Sequence, residues 1–213
     1  MSTDESVGGI DEAGRGALLG PLVIAGVALK NSLLEELKRM GVRDSKQLSP
    51  FRREKLYSVI TRVADKVEVV EVSPQEIDSR YRHGLNLNQL ELIKMAQISL
   101  RLGVNTVYVD AVDVDEERFR EELSKRAPNI VFVSEHEADS KYTVTAAASI
   151  VAKVTRDRRI AELNKFYGDV GSGYPSDPRT MRFIREYYVK TGSLPEFART
   201  TWKSIRRTLG VRE

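Results

Sequence analysis

The chain has 213 residues, 41% of them hydrophobic and 31% charged, so it can bury a core and falls outside the disordered class. It has no cysteine, which excludes disulfides, thiolate zinc sites and cysteine nucleophiles, and no uncharged apolar run reaches the roughly 20 residues that span a bilayer. Net charge is +3, but Pro178 to Glu213 holds nine Lys/Arg against three Asp/Glu and leaves 25 against 28 before it, a basic tail that suits either a phosphate backbone or a solubilising helical face.

Met1 to Val7 is polar and acidic rather than signal-like, so a soluble cytoplasmic protein with no membrane partner is expected. Val7 to Ile10 is a short apolar run that leads into Asp11, and after a Gly-rich turn Pro21 to Leu29 reads as a buried strand. Leu33 to Met40 reads as a short helix stopped by Gly41. Ser49-Pro50 supplies a cap and a first-turn proline for a helix with Leu56, Val59, Ile60 and Val63 inward. Val67 to Val72 alternates as a strand, and Ser73 to Glu76 is a capping box. Leu87 to Leu100 has helical spacing, Thr106 to Val109 is a strand delivering Asp110, Arg118 to Arg126 is helical and Ile130 to Val133 is a strand. Tyr142 to Tyr167 carries a long helical pattern, and two more helices start at Asp177-Pro178 and at Arg199 to Thr201.

Strands alternating with helices predict a mixed α/β sheet. The turn-rich stretch Gly168 to Asp177 is the expected boundary, giving a core over residues 1–170 and a basic helical extension over 171–213.

Asp11 and Glu12 are adjacent acids at a strand end, where like charges repel unless a cation lies between them. Asp110 ends a second apolar strand, and Asp139 precedes the alanine-rich helix. If the two strands are parallel neighbours, Asp11 and Asp110 project at one sheet end, where open α/β sheets place their sites. All-oxygen ligands without cysteine suit Mg²⁺ or Mn²⁺ rather than zinc. Each acid alone has a plain reading: Asp139 a helix start, Asp110 an ordinary strand end, Asp11-Glu12 a solvated turn. Periodicity cannot bring them together. His83 and His136 lack zinc-ligand spacing and read as surface residues, with an auxiliary metal contact as the alternative for His136. Gly14-Arg15-Gly16 falls short of a dinucleotide or Walker loop.

The run Gly9-Ile10-Asp11-Glu12-Ala13-Gly14-Arg15-Gly16, with Gly20-Pro21-Leu22-Val23 after it, is very similar to the opening motif of ribonuclease HII. Asp44-Ser45-Lys46-Gln47-Leu48, Val109-Asp110, Ala138 to Tyr142 and Ala147 to Val154 before Arg156-Asp157 follow in the family's order. Gly171-Ser172-Gly173-Tyr174-Pro175-Ser176-Asp177-Pro178 resembles the archaeal and eukaryotic form.

The resemblance implies a ribonuclease H-like α/β sheet flanked by helices, with a C-terminal helical extension. It implies an endonuclease acting on RNA–DNA hybrids and on DNA duplexes containing ribonucleotides, working as a monomer. Asp11, Glu12, Asp110 and Asp139 would be the catalytic, metal-binding carboxylates for Mg²⁺ or Mn²⁺. Gly14, Arg15 and Gly16 would read the ribose 2′-hydroxyl, with glycines allowing close backbone approach. Tyr174 would pack on the sugar at the RNA–DNA junction, and Lys46 would contact phosphate. Alternatives remain for each: a tight turn, a loop anchor, a solvated lysine. The chain departs from the family pattern at Glu137, Thr143 and Ala146, none of which removes a ligand. Arg199, Lys203, Arg206 and Arg207 are expected either to meet phosphates or to form a solvated face, and Trp202, Phe183 and Tyr187 either to grip the duplex or to pack inward.

Overall fold

The computed structural model describes residues 4–43 and 48–209. The described chain forms two compact units. One takes the residues through Ala13, Ile24–Val70 and Asn88–Val154; the other takes Gly14–Val23, Glu71–Leu87 and the residues from Thr155 onward.

A five-stranded sheet is the frame of the first unit. Its strands are β1 (Ser6–Ala13), β2 (Leu22–Lys30), β3 (Lys66–Val72), β4 (Thr106–Asp110) and β5 (Val131–Glu135), in the order β3-β2-β1-β4-β5. β2 is buried along its whole length except Lys30, and β1 nearly so, the pattern of central strands covered on both faces. β4 alternates half-buried with buried residues. The pairs β1–β4 and β4–β5 are parallel, with Ile10 opposite Val109 and Asp110 opposite Glu135.

The helices of this unit begin where the local chemistry says they should. α1 (Asn31–Arg39) follows β2 directly. α2 (Pro50–Val63) opens on Ser49, whose hydroxyl accepts the Arg52 N–H, with Pro50 needing no donor of its own. α3 (Pro74–Ser79), in the second unit, starts the same way, on Ser73 accepting from Glu76 N–H at 3.1 Å. α4 (Leu87–Leu102) buries Leu90, Met95, Ala96 and Ile98. α5 (Glu116–Arg126) starts earlier than expected, because Asp115 accepts the Arg118 N–H at 2.9 Å and acts as its cap.

A four-residue helix, α6 (Ala138–Lys141), too short to show a helical period in the sequence, precedes α7 (Thr143–Tyr167). Its lead residue Glu137 has φ 56°, the one left-handed non-glycine among the described residues. Small residues let α7 approach the sheet closely. Ala146, Ala147 and Ala148 are fully buried, and a Cβ on Gly9 of β1 would stand 2.2 Å from the Val144 carbonyl oxygen.

In the second unit, α8 (Pro178–Thr191) is capped by Asp177, which accepts the Arg179 N–H at 3.0 Å. α9 (Lys203–Thr208) begins after Trp202, later than expected. The core here comprises Leu18, Leu19, Ile160, Val170, Phe183, Ile184, Phe197, Ala198 and Ile205, with Tyr187 and Trp202 packed against it. Phe183, Tyr187 and Trp202 thus pack inward. One expectation is overturned: Arg199 is 0% exposed and donates to the carbonyls of Arg15 (2.9 Å) and Gly20 (3.3 and 3.2 Å), so it cannot be a surface phosphate contact. Lys203, Arg206 and Arg207 are exposed. Among the described residues no helix is long and apolar enough to cross a membrane.

Candidate metal centre

The register of two parallel strands builds the site. Ile10 of β1 lies opposite Val109 of β4, so Asp11 and Asp110, each one residue further on, share a sheet end and, by the pleat, a face. Glu12 follows, and oxygens of Asp11, Glu12 and Asp110 lie within 4.8 Å of one another. Asp139 is outside that trio but tied to it, since the neighbouring Ala138 N–H donates to Asp110 Oδ1 at 2.9 Å. That bond docks the start of α6 on the end of β4 and buries Asp139 to 2% exposure.

Asp11 is 3% exposed. Its Oδ1 accepts the Glu12 N–H at 2.7 Å, while Oδ2 is buried and accepts no hydrogen bond. Burial raises its pKa to about 6; the nearby Lys153 cation draws it down, the Asp110 charge pushes it up, and hydrogen bonds from the Ser149 hydroxyl and the Glu12 N–H lower it. Lys153 Nζ donates to Ser149 Oγ at 2.6 Å, so two residues one helical turn apart on α7 form a polar line toward Asp11. The sequence alone assigns neither residue a role, though both lie within the Ala147 to Val154 motif, and their i, i+4 spacing as polar residues among the small apolar ones of that motif is the signal that points to them.

The donor set fits a hard divalent cation. It is all oxygen, it gathers carboxylates that would repel without a cation, and it leaves a buried Asp11 oxygen with nothing to accept from. His136 does not contribute: its ring nitrogens lie 3.2 Å from Ala111 O and 3.5 Å from Val114 O, facing backbone. His83 is exposed.

Gly14, Arg15, Gly16 and Tyr174 belong to the second unit. Gly14 is buried with φ 89°, a conformation that favours glycine, and it opens a turn closed by Ala17 N–H to Gly14 O at 3.2 Å. Its missing side chain has a cause inside the protein, because a Cβ there would lie 2.3 Å from Arg156 Nε. Gly16 is different: it is exposed, and a Cβ on it would meet nothing within 4 Å. Arg15 is half-buried, its carbonyl held by Arg199. Tyr174 is half-buried with the Arg156 guanidinium carbon 4.4 Å from its ring centroid. Lys46 lies outside the described residues.

Comparison with known proteins agrees with this architecture. The family model described as ribonuclease HII matches residues 8–205. The ribonuclease HII of Pyrococcus furiosus is 48% identical over 204 residues, covering 94% of this chain and 90% of the relative. The crystal structure of ribonuclease H2 from Pyrococcus horikoshii superposes with a TM-score of 0.89 at 43% identity, covering 96% of this chain and 97% of that one. The ribonuclease HII of Archaeoglobus fulgidus, solved in complex with PCNA, gives 0.87 at 42% identity over 95% and 96% of the two chains.

Proposed function

Since this chain belongs to the ribonuclease HII family, with its ribonuclease H-like α/β fold, we propose that it hydrolyses the RNA strand of RNA–DNA hybrids and cuts on the 5′ side of ribonucleotides embedded in duplex DNA. The products carry a 3′-hydroxyl and a 5′-phosphate. The observation that carries the reading is the gathering of Asp11, Glu12 and Asp110 by the parallel pairing of β1 with β4.

Asp11, Glu12 and Asp110, with Asp139 from α6, would hold Mg²⁺ or Mn²⁺. Bound there, a hard divalent cation would supply Lewis-acid chemistry, activating water and stabilising the leaving oxygen of a phosphodiester. Lys153 and Ser149 favour the ionised form of Asp11, the form a cation needs. Asp110 also fixes α6, and with it the backbone position of Asp139.

The Gly14-Arg15-Gly16 turn reads the ribose 2′-hydroxyl, and the open space at Gly16 supports this, because nothing in the protein requires glycine's small size there. Tyr174 packs on the sugar at the junction. Lys46 contacts phosphate. The exposed cations of α9 grip the duplex backbone, as part of a basic extension over residues 171–213. We extend the partner of the Archaeoglobus relative to this chain as well: PCNA is expected to co-elute with it, and separate elution at micromolar concentrations would count against that partner.

The test of activity uses end-labelled DNA duplex with one internal ribonucleotide, an all-DNA control and a long hybrid, each with Mg²⁺ or Mn²⁺ and a chelator blank. Cutting 5′ of the ribonucleotide, absent from blank and control, is the expected result. Cleavage of the all-DNA control would point instead to a DNA nuclease on the same fold. Folded, metal-loaded protein that cuts nothing would leave a hybrid-binding protein.

A further inference from the structure

The two pieces of chain assigned to the sugar, Gly14–Gly16 and Tyr174, lie outside regular helix and strand, so their geometry needs another source. Part of it is a backbone seam: the N–H groups of Leu18 and Leu19 both donate to Gly173 O, at 2.7 and 3.2 Å. Onto that seam α7 sends Arg156, 3% exposed. Its Nη2 donates to Ser172 O at 3.1 Å and to Leu19 O at 3.4 Å, one carbonyl from each loop. The same guanidinium covers the Tyr174 ring, and its Nε occupies the space a side chain on Gly14 would fill. Arg199 repeats the arrangement on the first loop, bonding the carbonyls of Arg15 and Gly20.

Core packing alone does not account for these choices. A buried guanidinium is costly to desolvate, and an apolar side chain of similar volume would fill the space more cheaply. Arg156 carries that cost visibly, with a buried Nε that has no hydrogen-bond partner. What a guanidinium adds is direction: a rigid planar fork satisfies carbonyls at set angles while its flat face stacks on a ring. Arg156 spends its fork where the two sugar-reading elements meet, and Arg199 spends its fork on the first of them.

We propose that Arg156 and Arg199 are positioning residues for ribose recognition, holding the Gly14–Gly16 turn and Tyr174 in register through groups that do not touch the substrate. The proposal rests on the sugar-reading role given above. Preference for a ribonucleotide then depends on two buried cations, whereas affinity for DNA in general does not.

The test is a kinetic one, with Mg²⁺, on wild type, Arg156→Lys, Arg156→Met and Arg199→Lys. It measures KM and kcat on a duplex with one ribonucleotide, and the inhibition constant of the matching all-DNA duplex as competitor. In the variants KM should rise roughly ten-fold or more, the scale expected when a binding group moves by about an ångström, while the DNA inhibition constant stays within about two-fold. Arg156→Met added to Tyr174→Ala should raise KM far less than it does in wild type, because the ring it aligns is gone. Folded variants with unchanged KM overturn the proposal. So does a parallel rise in KM and in the inhibition constant, which marks a general loss of structure, and so does failure of even the lysine variants to fold. A wild type that cuts no ribonucleotide substrate, or does not prefer it, refutes the sugar-reading role before any substitution is made.

Discussion

Burial lifts the Asp11 carboxyl to a pKa of about 6, above the 3.8 of an unperturbed aspartate. Between those values the folded protein keeps a proton that the unfolded chain has released. The stabilisation from this group is therefore present below the unfolded pKa and is lost as pH rises through the folded one. A carboxyl that gives up its proton roughly two pH units late costs about 3 kcal/mol at pH 7 in the absence of metal. Asp11→Asn should thus be more stable than metal-free wild type at pH 7 by up to about 3 kcal/mol, with the gap closing near pH 4, as read by urea unfolding in chelator. Added Mg²⁺ should stabilise wild type and not the variant. Equal stability of the two proteins at pH 7 would show that Asp11 bears no such burden. Lys153→Met removes the cation that draws the carboxyl down, so the acid limb of the activity profile should move to higher pH. An unmoved limb would mean Lys153 does not sense Asp11.

At the scale of elements, the site depends on β1 lying close to α7 and on α6 hanging from β4. Gly9→Ala would place a methyl 2.2 Å from the Val144 carbonyl oxygen, against backbone that cannot rotate away. The cost should be at least about 1–3 kcal/mol, visible as a melting temperature lower by several degrees, with cleavage impaired because Asp11 is two residues on. Asp110 has two jobs that substitution can separate. Asp110→Asn keeps an oxygen for the Ala138 N–H and should hold stability while losing cleavage; Asp110→Ala should lose cleavage and a further ~1 kcal/mol. Equal stability of the two would mean that the Ala138 bond does not anchor α6.

Much at this scale was legible in the sequence. Apolar runs ending in Asp11 and Asp110 mark strand ends, and Ser49, Ser73 and Asp177 are caps in both readings. The pairing of β1 with β4 was not legible, because it joins segments far apart in the chain and periodicity carries only local information; the resemblance implied that Asp11 and Asp110 share a metal role. α6 is too short to show a period. A buried arginine looks like any other in a sequence, so Arg199 was grouped with the surface cations of the tail, although its guanidinium is enclosed by loop carbonyls.

For the molecule as a whole, the proposed grip of the basic tail on the duplex rests on Lys203, Arg206 and Arg207, the exposed cations of α9. Neutralising these three should weaken duplex binding and flatten its salt dependence, the slope falling by about 0.9 for each phosphate no longer neutralised, without changing the choice of cleavage site. A slope identical to that of wild type in a fluorescence-anisotropy titration would remove α9 from the interface. The interleaving of the two units reaches further, into the order in which the protein is made. Synthesis delivers the carboxylates first, and β1 can find β4 once Asp110 and the α6 segment have emerged. The turn around Arg15 is translated almost at the outset, yet its carbonyl waits for Arg199, 184 residues later. A nascent chain on the ribosome therefore passes through a stage at which it can gather its acids but not bond the Arg15 turn, and the ribose preference proposed for that turn would be among the last properties the growing polypeptide acquires.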